Sequence, residues 1–248
     1  MDRNVRRSTL VSAAALIAAG TAGALVLGEK TGLGPFGKLY NAVEADAHWI
    51  ETSYDFRKTK GQVVFYGGAG TRDLVNLRED LKGIPVQNHG FRIRSEADLM
   101  NYAGRLVYPY EPKILVLESA PDAWKNLKGE PKEITEGVLA DRKRLLETMH
   151  IVLPDLQVIV TGTLPAPGLS EKKEIAETID AGIKAFAGEN PYVTYVSLSD
   201  FTGKQLYRKD GLRLNHVGQY RLAGVLRPYL EKGMREEKEE QKEQHEKS

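Results

Sequence analysis

The sequence predicts a doubly wound α/β domain on a five-stranded parallel sheet with helices on both faces. Three observations carry this. Between residues 61 and 232, short apolar runs rich in β-branched residues alternate repeatedly with amphipathic stretches. The central run, Ile114–Leu117, is wholly apolar, as in a strand covered on both faces. Gly- and Asp-rich segments follow several of the runs, at the strand ends where such sheets hold their ligand crevice.

The elements follow in order. Arg3, Arg6 and Arg7 precede an uncharged run from Ser8 to Gly28. At ~1.5 Å per residue, a helix over this run approaches the thickness of a hydrocarbon core. Residues 1–28 therefore read as a membrane anchor or a signal segment. A small-residue cleavage pattern, Ala22-Gly23-Ala24, supports the signal reading. Leu25, Val26 and Leu27 extend the apolar run beyond it and favour the anchor. The Arg6-Arg7 pair resembles a twin-arginine export signal, but Ser8 and Thr9 follow in place of the usual aromatic. The basic flank predicts a cytoplasmic N-terminus with the domain outside, anchored to the cytoplasmic membrane or exported after cleavage.

Residues 29–60 read as a Gly-rich linker (29–37) and an amphipathic helix from Lys38 to about Lys58. Leu39, Val43, Ala47, Ile50 and Tyr54 form its apolar stripe. The domain proper spans 61–232. Its strands are expected at Val63–Tyr66, Ile84–Gln87, Ile114–Leu117, Leu156–Val160 and Val193–Leu198. Its helices are expected at Thr71–Leu81, Ser95–Val107, Ile134–His150, Ser170–Ala187 with Ser170 as cap, and His216–Lys232. Residues 233–248 form a charged tail without an apolar stripe, read as a frayed helix or a solvated coil.

Composition excludes some functions. The formal charge of +1 gives no global basic field, so no nucleic-acid partner is expected. The absence of cysteine excludes disulfides, thiolate metal sites, a cysteine nucleophile and lipidation at cysteine. His89, His216, Asp122 and Asp210 show no ligand spacing such as His-x-x-x-His, so neither a metal nor another cofactor is expected. Gly67–Gly70 lack the Lys-Ser/Thr of a phosphate loop.

Chemistry should sit at the strand ends, in Tyr66-Gly67-Gly68-Ala69-Gly70-Thr71, Glu118-Ser119-Ala120-Pro121-Asp122 and Asp210-Gly211-Leu212-Arg213-Leu214-Asn215-His216. Here the chain resembles the GDSL/SGNH-type hydrolases. The run VVFYGGAGT resembles their first block, where Gly-Asp-Ser follows an apolar strand. Gln87–Phe91 resembles the second, with its glycine at Gly90. RLVYPYEPKILVLESAPDA resembles the approach to the third. KDGLRLNHVG is similar to the final block, Asp-Gly-Leu-His-Leu-Asn-x-x-Gly, at six of its seven fixed positions. The likeness covers roughly residues 60–232 and implies a flavodoxin-like sheet and ester-bond chemistry.

On that likeness, however, the nucleophile position falls on Ala69, the third-block asparagine on Pro121 and the histidine on Arg213. Gly90 and Asp210 are kept. A methyl group cannot attack an ester. Proline offers neither an amide side chain nor an N–H. A protonated guanidinium cannot serve as a base. Of the oxyanion donors that the resemblance implies, only the backbone N–H groups of Ala69 and Gly90 remain.

The leading expectation is thus a catalytically inactive domain that binds an unknown ligand or protein at the old crevice. Its candidate crevice residues are Gly67, Gly68, Ala69, Gly90, Arg92, Ser119, Asp122, Asp210, Arg213 and His216. The membrane is a partner through residues 8–28. The alternative is an ester hydrolase or acyltransferase with a relocated nucleophile, Ser119 or Thr71, served by His216 or His89. A bare structural module is a third reading. Arg213 is expected to pair with Asp210; it is also read as joining Arg92, Arg94 and the Gly67–Gly70 backbone around an anion.

Overall fold

The computed structural model describes residues 34–246, and side chains from 42 to 235. The segment read as anchor or signal lies outside these residues. Among the described residues, no helix is long and apolar enough to cross a membrane.

Five parallel strands form one sheet in the order β2-β1-β3-β4-β5. They are β1 (Val63–Gly67), β2 (Val86–Gly90), β3 (Ile114–Leu117), β4 (Gln157–Thr161) and β5 (Val193–Val196). The helices are α1 (Gly34–Ser53), α2 (Phe56–Thr59), α3 (Ala69–Arg72), α4 (Leu77–Asp80), α5 (Glu96–Leu106), α6 (Pro131–Val152), α7 (Lys173–Glu189) and α8 (His216–Glu246). This is the doubly wound architecture expected.

Side chains alternate across the sheet, as the two-residue period of a strand requires. Val64, Tyr66, Leu115, Leu117, Val158 and Val160 join a core that takes in α1, α5, α6 and α7. Val63, Phe65, Ile114, Val116 and Ile159 join a second core with α4 and α8. The stripe read on α1 is part of the first core: Val43, Ala47 and Ile50 are fully buried. Burial of Val43 and Ile50 contributes on the order of 1.5–3 kcal/mol each. Arg105 then fastens the helix, bonding Glu44 and Glu51 at 2.8–3.1 Å.

Several expectations need correction. α1 begins at Gly34, inside the segment read as linker, with Pro35 at its first turn, where a missing N–H costs nothing. The helix expected over Thr71–Leu81 is two short ones, α3 and α4, separated by a turn. Ser170 lies within a 3₁₀ turn, Pro167–Lys172, and α7 starts after it. β2 runs to Gly90, three residues later than expected, because its polar side chains have partners. Gln87 donates to Thr59 O at 2.9 Å, Asn88 to Thr71 O at 2.9 Å, and the buried His89 ring bonds Leu106 O at 2.6 Å. The tail continues α8 as far as Glu246.

Candidate functional site

The chain leaves β1 toward β2 on one side and returns through β3 on the other, so the loops after β1 and β3 diverge. Such switch points open a crevice at the strands' carboxyl ends. Here the crevice has a volume of about 390 Å³. Its walls are mostly apolar; Phe65, Val116, Leu198, Leu222 and Leu226 are among them.

Of the residues read from sequence, Ala69, Ser119, Asp122, Asp210 and Arg213 line the crevice, together with Pro121 and Thr71. Gly67, Gly68, Gly90, Arg92 and His216 do not. Gly67 and Gly68 form the turn out of β1. A Cβ on Gly67 would lie 2.6 Å from both Glu118 Cβ and Thr71 Oγ1, so only glycine lets α3 close onto β3. Gly90 serves packing as well: a Cβ there would fall on Arg72 N and lie 2.6 Å from the Thr71 carbonyl carbon. Its N–H, expected as an oxyanion donor, is already given to Asn88 Oδ1 at 2.9 Å.

The anion cluster does not form. Arg92 bonds Asp46 and Ala42 O on α1, and Arg94 bonds Asp98. Arg213 pairs with Asp210 as expected, Nε to Oδ2 at 2.6 Å, and its Nη1 also reaches Asp73 Oδ2 at 3.0 Å. Arg208 joins the same oxygen at 2.9 Å. Burial pushes the Asp210 carboxyl up, but the Leu212 and Arg213 N–H groups and the Arg213 guanidinium outweigh it and bring it down to about 2.

The relocated pairs are not assembled either. His216 Nδ1 meets Asn76 Nδ2 at 3.0 Å. His89 is sealed in the core between Tyr54 and Tyr110, where burial pushes it down to about 4 although the Leu106 carbonyl opposes. The Thr71 hydroxyl donates to Glu118 Oε2 at 2.8 Å. Among the described residues, neither Ser119 nor Thr71 is hydrogen-bonded to a histidine. Among the described residues, no three His, Asp or Glu side chains converge as metal ligands.

Sequence reasoning did not single out Glu118 or Gln219 as crevice residues. Glu118 follows the last residue of β3 and takes the Thr71 N–H at 2.9 Å as well as its hydroxyl. Burial raises its carboxyl above the usual range, against the lowering by these two donors, and Asp122 raises it further. The available signal was a lone carboxylate ending an otherwise apolar central strand. Gln219, on the first turns of α8, is 4% exposed; its Nε2 donates to Asp73 O and Leu214 O, and its Oε1 has no partner. Nothing in a helical glutamine signals this in advance.

The β3 exit is held from beneath. Arg142 donates to Glu118 O at 2.8 Å and Ser119 O at 3.0 Å while its other nitrogens grip Glu96 at 2.6–2.7 Å. Ala120 sits in the left-handed region at φ 51°, a conformation costing about 1–3 kcal/mol that this grip sustains.

No family model and no curated protein matches the chain. Solved structures do. A Streptococcus pneumoniae protein described as a platelet activating factor is 17% identical with a TM-score of 0.66, over 84% of this chain and 99% of that one. A GDSL-like lipase from Bacteroides thetaiotaomicron is 18% identical with a TM-score of 0.59, over 77% and 98%. The C-terminal catalytic domain of a Streptococcus pneumoniae peptidoglycan O-acetyltransferase is 13% identical with a TM-score of 0.50, over 71% and 96%. With the strand order and the crevice at the strand ends, these likenesses establish that the chain has the fold of the SGNH/GDSL-type hydrolases.

Proposed function

We propose that this chain is a non-hydrolytic SGNH-fold domain, held on the outer face of the cytoplasmic membrane by residues 8–28, that binds a small ligand in its crevice. The observation that carries this reading is the chemistry of the crevice wall. Ala69 and Pro121 stand where the family resemblance puts the nucleophile and an oxyanion donor, and Arg213, at the histidine position, is tied to two carboxylates. Loss of a triad serine or histidine costs about 10⁶ in turnover in a protease, and the oxyanion donors that sustain residual catalysis are depleted here. A mostly apolar cavity of about 390 Å³ with a few polar groups has the size and character of a small-molecule site.

The test is hydrolysis of nitrophenyl acetate and butyrate by the full chain, beside Ser119→Ala and Thr71→Ala variants. A rate equal to buffer is expected. A clear rate abolished by either substitution would overturn the reading. Anchoring is tested separately by fractionation: the chain should stay with membranes after a high-salt wash, and deletion of residues 8–28 should release it.

A further inference from the structure

Among the acids lining the crevice, Glu118 differs from the rest. Asp122 pairs with Lys125, Asp210 with Arg213, and Asp73 with Arg72, Arg208 and Arg213. Glu118 has no cation among the described residues. Arg142 touches only its main-chain oxygen and is itself neutralised by the two-point grip on Glu96. Thr71 supplies two hydrogen bonds but no charge. An anion bordering an apolar cavity without a counter-charge is costly to keep.

A second, independent feature points the same way. Gln219 lines the crevice, is 4% exposed, and leaves Oε1 without a donor. Its amide cannot turn over to cure this, because Nε2 already serves two carbonyl acceptors, Asp73 O and Leu214 O. The two cations of the crevice wall, Lys125 and Arg213, are taken by Asp122, Asp73 and Asp210, so the crevice leaves Glu118 without a counter-charge and Gln219 Oε1 without a donor.

We infer that the crevice is built for an apolar primary amine, whose ammonium group pairs with the Glu118 carboxylate and donates toward Gln219 while its hydrocarbon part lies along the Phe65, Leu222 and Leu226 wall. This rests on the reading of the crevice as a ligand site and names the ligand's chemical class. It inverts the polarity of an oxyanion site, since the group recognised is a cation and the protein supplies acceptors. An ammonium is strongly hydrated and needs both the counter-charge and an acceptor to leave water.

The experiment is calorimetric titration of the full chain in non-ionic detergent with four probes that share an eight-carbon chain, each below its micelle concentration: octylamine, octyltrimethylammonium, octanol and octanoate. Octylamine should bind about tenfold or more tightly than octanol, the worth of one charge-assisted contact, and octanoate should bind weakest. Octyltrimethylammonium, which carries the charge but no donor, should fall between octylamine and octanol. Glu118→Gln should cut octylamine affinity about tenfold or more, and a circular dichroism spectrum and urea midpoint close to the parent's show that the variant is folded.

Equal affinity for octylamine and octanol, or tighter binding of octanoate, overturns the amine assignment and leaves the crevice a ligand site. Octylamine binding that survives Glu118→Gln undiminished also overturns it. If none of the probes binds, both this assignment and the ligand-site reading fall. The comparison of probes on the unsubstituted chain decides the matter even if Glu118→Gln does not fold.

Discussion

Arg142 is the position at which one substitution should do most damage. Its side chain and that of Glu96 are each 3% exposed, and they meet through two parallel bonds of 2.6 and 2.7 Å. Its remaining capacity goes to the carbonyls of Glu118 and Ser119 at the β3 exit. Arg142→Met keeps much of the buried volume but leaves Glu96 as an uncompensated buried carboxylate, which costs about 3–5 kcal/mol. The two carbonyls lose their donors as well, at about 1 kcal/mol or more each where water does not replace them. A total of about 5–7 kcal/mol matches or exceeds the whole stability of a marginal domain, which starts at about 5 kcal/mol. Glu96→Leu with Arg142→Met removes the stranded charge, so most of the ionic cost should return, leaving about 2 kcal/mol for the carbonyls. Urea unfolding of the parent, both single variants and the double variant measures this as a coupling energy of several kcal/mol. A loss below about 1.5 kcal/mol in Arg142→Met, or a double variant as unstable as the two single losses summed, would refute the argument that this pair holds up the crevice floor.

Three further outcomes are expected. His89 is held down at about 4, below its ordinary 6.5, chiefly by burial, so the unfolded chain binds the extra proton first as pH falls. Stability should therefore drop between pH 6.5 and 4 by up to ~3 kcal/mol, and His89→Gln should flatten that slope in urea midpoints measured at several pH values. Gly90→Ala should cost more than about 2 kcal/mol or abolish folding, because its methyl meets the main chain of α3 and not a movable side-chain tip; a thermal midpoint within 2 °C of the parent, about 1 kcal/mol or less on this scale, would contradict it. Ala69→Ser alone should give no nitrophenyl acetate hydrolysis above buffer, since no histidine lines the crevice and Pro121 donates nothing; a measurable rate would show that proton acceptance survives in this crevice.

The fold was largely legible in the sequence because its signals are local. β-Branched runs of four or five residues bounded by turns mark the strands, and β3 has the bounds that Ile114–Leu117 suggested. β2 was misplaced because Gln87, Asn88 and His89 look like the polar end of a strand. Their carbonyl and hydroxyl partners come from α2, α3, α5 and the loops beside them, and such tertiary satisfaction leaves no trace in a single segment. The same reason separates what was seen at the crevice from what was missed. Arg213 with Asp210 spans three residues and could be read directly. Glu118 with Thr71 spans 47, and Gln219 with the Asp73 carbonyl spans 146. Arg92 and Arg94 failed as crevice residues because acids on α1 and α5, Asp46 and Asp98, claim them first.

Arg213 shows how a position that the family resemblance assigns to catalysis takes up a mechanical part. An imidazole offers two ring nitrogens on a short stem, whereas the guanidinium fork reaches Asp210 on its own loop and Asp73 at the end of α3 together. Arg208 adds a second bond to the same Asp73 oxygen, and Gln219 draws in the Asp73 carbonyl from α8. The Arg213 side chain is 40% exposed, so each ion pair contributes no more than about 1 kcal/mol after screening. Stability therefore does not account for the arrangement, but order does. Two segments that border the crevice, one after β1 and one comprising the loop before α8 and its first turns, are cross-linked by the Arg208, Arg213 and Gln219 side chains, which limits how far the rim can open. A rim fixed in advance lowers the ordering cost of holding a ligand, and it supplies none of the proton transfer that turnover would demand.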